Sequence, residues 1–139
     1  MITQQEDLYL YNFLNSNENQ HDISTEENFA ENYIDRSAVV ITYKKPFVDW
    51  ITEVIDGEID EFLENEIYSP KVYLVEEVED LEKWIKKKYK SLFDLELQEY
   101  CLNKKKWPQK RNYKMFQQWF QVSTSESVYD LEKRPVIKG

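Results

Sequence analysis

A chain of 139 residues with 41% hydrophobic and 15% aromatic side chains can bury a core of its own, and 27 acids against 18 bases give it a formal net charge of −9. The single cysteine, Cys101, excludes an internal disulfide and a cysteine-based metal site. With only two glycines the chain has neither a glycine-rich phosphate loop nor a GxSxG elbow.

The charge is unevenly spread. Residues 1–36 hold eight acids and one base, and residues 37–80 hold twelve acids and three bases. Residues 81–120 reverse the balance, with four acids and eleven bases, and residues 121–139 are neutral. Such a layout implies either two poles that attract each other within the fold or a bipolar surface that steers a charged partner. The intramolecular attraction is the favoured expectation. The overall acidity disfavours general nucleic-acid binding, which needs positive potential.

Taken in order, residues 1–35 read as an acidic helical lead-in packed on the domain. Thr3 with Glu6 and Ser24 with Glu27 have capping-box spacing ahead of apolar residues. Residues 37–43 form the clearest strand, and the consecutive Ala38, Val39, Val40 and Ile41 suggest a central one. Pro46 opens a helix carrying Phe47, Trp50, Ile51, Val54 and Ile55 on one face, with Gly57 placed as its stop. Residues 58–68 fit a short amphipathic helix, with Ile59, Phe62, Leu63 and Ile67 inward and acids outward. Residues 72–75 are a second strand.

Asp80 is placed to cap the longest helical segment, residues 81–102, with a possible bend near 91–94. Asn112 is placed to cap the next helix, where Tyr113, Phe116 and Phe120 share a face. Residues 122–131 read as a third strand whose two halves are out of phase, which implies a bulge. The strand–helix–strand arrangement favours a parallel crossover. The expected fold is α+β, of order (α)(α)-β-α-(α)-β-α-α-β. About three strands are covered by helices in a two-layer sandwich, because so small a sheet buries helices poorly on both faces. The domain spans 36–131, and 132–139 are a tail.

His21, the only histidine, sits in a polar stretch with no second histidine to share a metal. Cys101 lies on the apolar stripe of its helix and reads as a buried structural thiol, although Lys104 to Lys106 nearby keep a reactive one in view. Asp56, Glu58, Asp60 and Glu61 have the ligands for a divalent cation but lack the glycine that turns a calcium loop. A solvated acidic face is the favoured reading. The best binding constellation is basic and aromatic: Lys104, Lys105, Lys106, Trp107, Lys110, Arg111, Tyr113 and Lys114. Cations there would hold phosphates while exposed rings stack on bases. The plainer alternative puts Trp107 and Tyr113 in the core, with lysines solubilising a loop. The same patch would also suit an acidic protein or the acidic pole of a second copy.

Three groups of residues also resemble a family of small uncharacterised bacterial proteins. They are Arg36 to Val40 leading to Lys45, Pro46, Phe47 and Trp50; then Trp107, Pro108, Arg111, Tyr113, Phe116, Trp119 and Phe120; and then Val128 to Leu131. The resemblance covers residues 36–131, with 1–35 and 58–67 as additions, and it implies no activity. The function expected is therefore a non-enzymatic one, through protein contacts of an immunity- or inhibitor-like kind. A basic protein would be met by residues 53–66, with Asp60, Glu61 and Glu64 foremost. Nucleic-acid binding through 104–114 comes second, and a carboxylate-based, metal-dependent enzyme last. No cofactor is expected. With no 18-residue apolar run and no leader-like start, neither is membrane association, and the lone cysteine fits a reducing, cytoplasmic location.

Overall fold

The computed structural model describes residues 32–139. Residues 1–31 of the helical lead-in, with both capping boxes and His21, therefore lie outside the described residues, whereas Tyr33–Ile34, expected at its helical end, form a short strand that pairs near the C-terminus. The described chain divides into two compact units: residues 35–128, and a second that includes residues 33–34 and 129–139. Among the described residues the order is β1 (Tyr33–Ile34), β2 (Arg36–Tyr43), α1 (Lys45–Val54), α2 (Glu61–Tyr68), β3 (Lys71–Glu76), α3 (Leu81–Tyr100), a 3-10 turn (Lys104–Lys106), α4 (Tyr113–Trp119), β4 (Phe120–Ser125) and β5 (Val128–Tyr129). The class is α+β, as the sequence pattern implies.

The main sheet has three strands in the order β3-β2-β4, so the apolar β2 is central. Alternation along β2 sorts its side chains. Val39 and Ile41 are fully buried and belong to one cluster with the inward residues of all four helices. On the opposite face Val40 pairs with Val72 and Ser123, and Ala38 with Leu74 and Ser125. Val72 and Leu74 there are 60% and 49% exposed. One face of the sheet is thus packed under helices, while on the other, among the described residues, the flanking Val72 and Leu74 are exposed although Ala38 at the centre is buried.

Both pairings of β2 are antiparallel, which corrects the expected parallel crossover. The reason lies in the number of intervening helices. One helix returns the chain to start a parallel strand, whereas α1 and α2 are two complete helices. The chain goes out and back before β3 begins, and so enters the sheet reversed.

Local signals explain most element boundaries. Pro46 lies in the first turn of α1, and Phe47, Trp50 and Ile51 are buried at i, i+3 and i+4. The helix ends when Ile55 turns extended, its N–H donating to the Ile51 carbonyl at 3.0 Å. Gly57 is thus not the immediate stop. It adopts φ +128° in the bend beyond, a backbone conformation strained for any side chain. Asp60 caps α2 by accepting from the Leu63 N–H at 2.8 Å. Within α2 the buried stripe is Leu63 and Ile67, four residues apart, so Phe62 points away and is 78% exposed rather than inward.

Asp80 caps α3 through the Lys83 N–H at 3.1 Å, and the helix runs unbroken through 91–94. Asn112 caps α4 through the Met115 N–H at 2.8 Å, and α4 leads directly into β4. The expected bulged strand over 122–131 is in fact two strands. Ser125 Oγ bonds both the N–H and the carbonyl of Ser127, which turns the chain. β5 then leaves β4's sheet and pairs with β1. The change of phase marks a change of partner.

Aromatic rings fill the space between sheet and helices. Phe47 is fully buried, with the rings of Tyr43, Trp50, Tyr100, Trp119 and Phe120 at centroid distances of 4.6 to 5.9 Å. Truncating such a ring loses its transfer free energy and leaves a cavity that neighbouring rings cannot fill. Phe47→Ala is expected to lower stability by about 3–5 kcal/mol in urea unfolding. Gly57→Ala, with nothing within 4 Å of the added carbon, should cost only the backbone strain, about 1 kcal/mol. A cost for Gly57→Ala as large as that for Phe47→Ala would show that its bend is packed, not merely turned.

Candidate interaction surfaces and the buried Glu96 centre

The helix face of the sheet holds one charged residue with no solvent exposure, Glu96 of α3. Its carboxylate accepts from two tyrosines on different strands: the Tyr43 hydroxyl (β2) at Oε2 and the Tyr73 hydroxyl (β3) at Oε1. Lys71 Nζ, also on β3, lies 3.5 Å from Oε2 and 4.0 Å from Glu99 Oε1. The Tyr100 hydroxyl donates to that of Tyr43 at 3.3 Å. The Lys71 ammonium also sits over the rings of Tyr43 and Tyr100, at 5.5 and 5.2 Å from their centroids. An ionised carboxylate is purely an acceptor, so two hydroxyls and an ammonium suit it. No buried side-chain polar atom among the described residues lacks a partner.

Burial, and then the hydrogen bond to Glu96, push the phenols of Tyr43 and Tyr73 above their ordinary value of 10.0. Tyr100 is pushed up to about 12, mainly by burial, although its bond to Tyr43 works the other way. Sealed from solvent, this carboxylate touches no substrate. It ties α3 to β2 and β3 at once.

The sequence reading missed Glu96, yet a signal exists. Residue 96 is four from Leu92 and from Tyr100 and three from Phe93, so it falls on the inward stripe of α3. Leu95, by contrast, is 42% exposed. A carboxylate at a core position of an amphipathic helix implies polar partners opposite.

The residues singled out for partner binding fall on two surfaces. Asp60, Glu61 and Glu64 are all exposed around the start of α2. Asp60 spends one oxygen on the cap. Among the described residues no acid between 53 and 66 forms an ion pair. Lys104, Lys105, Lys106 and Lys110 are exposed and likewise without a carboxylate partner. Among the described residues, no acid of 53–66 is ion-paired with Lys104, Lys105, Lys106 or Lys110. The pairs that do form between segments run the other way: Lys71 comes from the acidic stretch, Glu96 and Glu99 from the basic one.

The aromatic members of 104–114 face inward. Trp107 is buried, and its Nε1–H donates to the Cys101 carbonyl at 2.8 Å. Trp50 Nε1–H donates to the Lys106 carbonyl at 3.0 Å, so two indoles fold this stretch onto the core. Arg111 bonds Asp94 at 2.6 Å, and its guanidinium stacks over Phe93 and Trp107. Tyr113 packs on Tyr89 and Phe116. This leaves the segment with exposed lysines, of which Lys104 lies over the Trp107 ring at 5.7 Å, but no exposed ring on which a base could stack. Cys101 caps α3 and is half-buried, less enclosed than expected. Among the described residues no group of three or more His, Cys, Asp or Glu side chains is placed to hold a metal ion, Asp56, Glu58, Asp60 and Glu61 included. No described helix is long and apolar enough to cross a membrane.

Removing the Glu96 carboxylate strands two hydroxyls and leaves Lys71 beside the core. Glu96→Ala is expected to cost about 3–5 kcal/mol in chemical denaturation. The triple change Glu96→Leu, Tyr43→Phe and Tyr73→Phe should recover part of that, because it removes the acceptor with both hydroxyls that donate to it, while Lys71 keeps Glu99 nearby. If the triple variant is no more stable than Glu96→Ala, the loss is one of packing. Alkali should act through the same tyrosines. Their folded pKa values lie above 10.0, so their contribution to stability is complete below pH 10.0 and is lost as pH rises past it. Thermal unfolding followed from pH 8 to 12 should show this decline, and Tyr43→Phe with Tyr73→Phe should flatten it. No protein-family model, curated protein or solved structure matches this chain.

Proposed function

We infer that the protein acts without catalysis, as an acidic binding or neutralising protein of the immunity or inhibitor kind, and meets a basic partner protein with the outer face of α2. The observation that supports this is the uncompensated acidic collar around Phe62. That ring stands 78% exposed between Glu61 and Leu63, with Asp60, Glu61 and Glu64 around it making no ion pair among the described residues. An aromatic anchor ringed by like charge suits a partner with an apolar notch in a basic surface. The ring supplies contact area, and the carboxylates supply orientation and a fast encounter. The resemblance of 36–131 to small bacterial proteins brings no activity with it, so the reading rests on this surface.

Nucleic-acid binding through 104–114 is the weaker reading. Its lysines are exposed, but Lys104 lies over Trp107, Trp107 and Tyr113 are committed to packing, and Arg111 is committed to Asp94.

The test is affinity purification of the tagged chain from its own cells, in parallel with the variant Asp60→Asn, Glu61→Gln, Glu64→Gln and with Phe62→Ser. Asparagine keeps the cap, so the fold should be unaffected. A stoichiometric basic partner that is retained at low salt, falls with added salt and is lost from both variants is the expected result. A partner retained equally by the variants would place the contact elsewhere. A retained nucleic acid, released by Lys105→Glu with Lys106→Glu, would favour the second reading.

A further inference from the structure

Among the described residues the strand order ends at β4, so one side of that strand is an edge. Antiparallel ladders alternate, and the phase here is fixed by the Lys44 N–H, which donates to the Trp119 carbonyl at 2.9 Å in the same register as the ladder. Thr42 with Gln121, Val40 with Ser123 and Ala38 with Ser125 are then the pairs that exchange hydrogen bonds. Between them, Val122 and Thr124 turn their N–H and carbonyl groups outward. The amide of Phe120 is already used, donating to the Phe116 carbonyl as the helix cap.

Beside this edge lies a groove of about 370 Å³ between α3, α4 and β4, lined by Ile85, Tyr113, Phe116, Gln117, Val122 and Thr124. A ring contact of 5.5 Å between Tyr89 and Tyr113 sets the two helices side by side. Lys86 follows Ile85, and Lys114 follows Tyr113. Both are exposed and form no ion pair among the described residues, while Glu82 supplies the one acid of the lining.

We propose that the β4 edge and this groove bind an extended acidic peptide segment, which adds to the sheet as a fourth strand. The outward groups of Val122 and Thr124 supply backbone hydrogen bonds. Alternate apolar side chains of the peptide enter the groove against Ile85 and Tyr113, and its carboxylates meet Lys86 and Lys114. The surface is separate from the acidic collar of α2, and its occupant has the opposite charge.

The probe is an N-acetylated octapeptide of alternating valine and glutamate, with its valine–lysine counterpart, titrated into the isotope-labelled full chain and followed by amide NMR shifts. Shifts centred on Val122, Thr124, Ile85 and Tyr113 are expected, with binding of the lysine peptide at least roughly tenfold weaker. Thr124→Pro removes a donor that faces the peptide and none that faces β2, a position where an edge strand tolerates proline. It should weaken binding by about tenfold or more. Lys86→Glu with Lys114→Glu should invert the preference between the peptides without disturbing the fold, and it decides the matter should Thr124→Pro fail to fold. No shift at these amides, equal binding of both peptides, or unchanged preference in the charge-reversed variant would overturn the proposal.

Discussion

Glu96 is the point at which the layers are joined. A carboxylate with no solvent exposure would be prohibitive alone, and here every donor that compensates it comes from the sheet rather than from its own helix: Tyr43 from β2, Tyr73 and Lys71 from β3. The bond can form only when α3 lies across the sheet in one position, with β3 in its native register beside β2. A one-residue slip of β3 would turn Tyr73 to the open face and bring Val72 or Leu74 inward. Apolar packing of Phe47, Phe93, Phe116 and Phe120 supplies most of the driving force, but rings tolerate several arrangements. The buried carboxylate accepts one, and in that sense it specifies what the aromatic core stabilises.

That division of labour leaves the surface with local duties, such as the caps made by Asp60, Asp80 and Asn112, rather than with the joining of the layers. Lys71 and Arg111, the half-buried cations, are matched by Glu96 and Asp94, while among the described residues Asp60, Glu61 and Glu64 of α2 and Lys105, Lys106 and Lys110 form no ion pair. The acidic collar of α2 and the exposed lysines face solvent without neutralising each other among the described residues. Charge held apart in this way weakens the compact state a little through self-repulsion and steers encounters with partners. Sites built on short helices and sheet edges over a rigid core are a common division between scaffold and function.

Much of this was legible in the sequence where one residue's chemistry decides one local event. Val39 and Ile41, Pro46, Asp80 and Asn112 each mark a strand, a first turn or a cap, and the structure bears out each. What local signals do not carry is direction and pairing. The antiparallel sheet depends on counting α2 as a full helix, and the split of 120–129 depends on β1 as an alternative partner for β5. The inward Glu96 and outward Leu95 depend on what lies opposite, not on the helix itself. In the basic segment, the composition of Trp107 to Tyr113 is the same whether the rings stack on bases or on Phe93 and Tyr89. Only the geometry separates the two.

The most direct test of the account is native-state hydrogen exchange across a denaturant series. If Glu96 couples the layers, the amides of Tyr73 and Val75 in β3 and those of Phe93 and Leu97 in α3 should open with a single free energy equal to that of global unfolding. β3 is an edge strand, so without the tie it should open first. Exchange of β3 at a lower free energy while α3 and β2 stay protected would contradict the claim that this carboxylate holds the sheet to the helix.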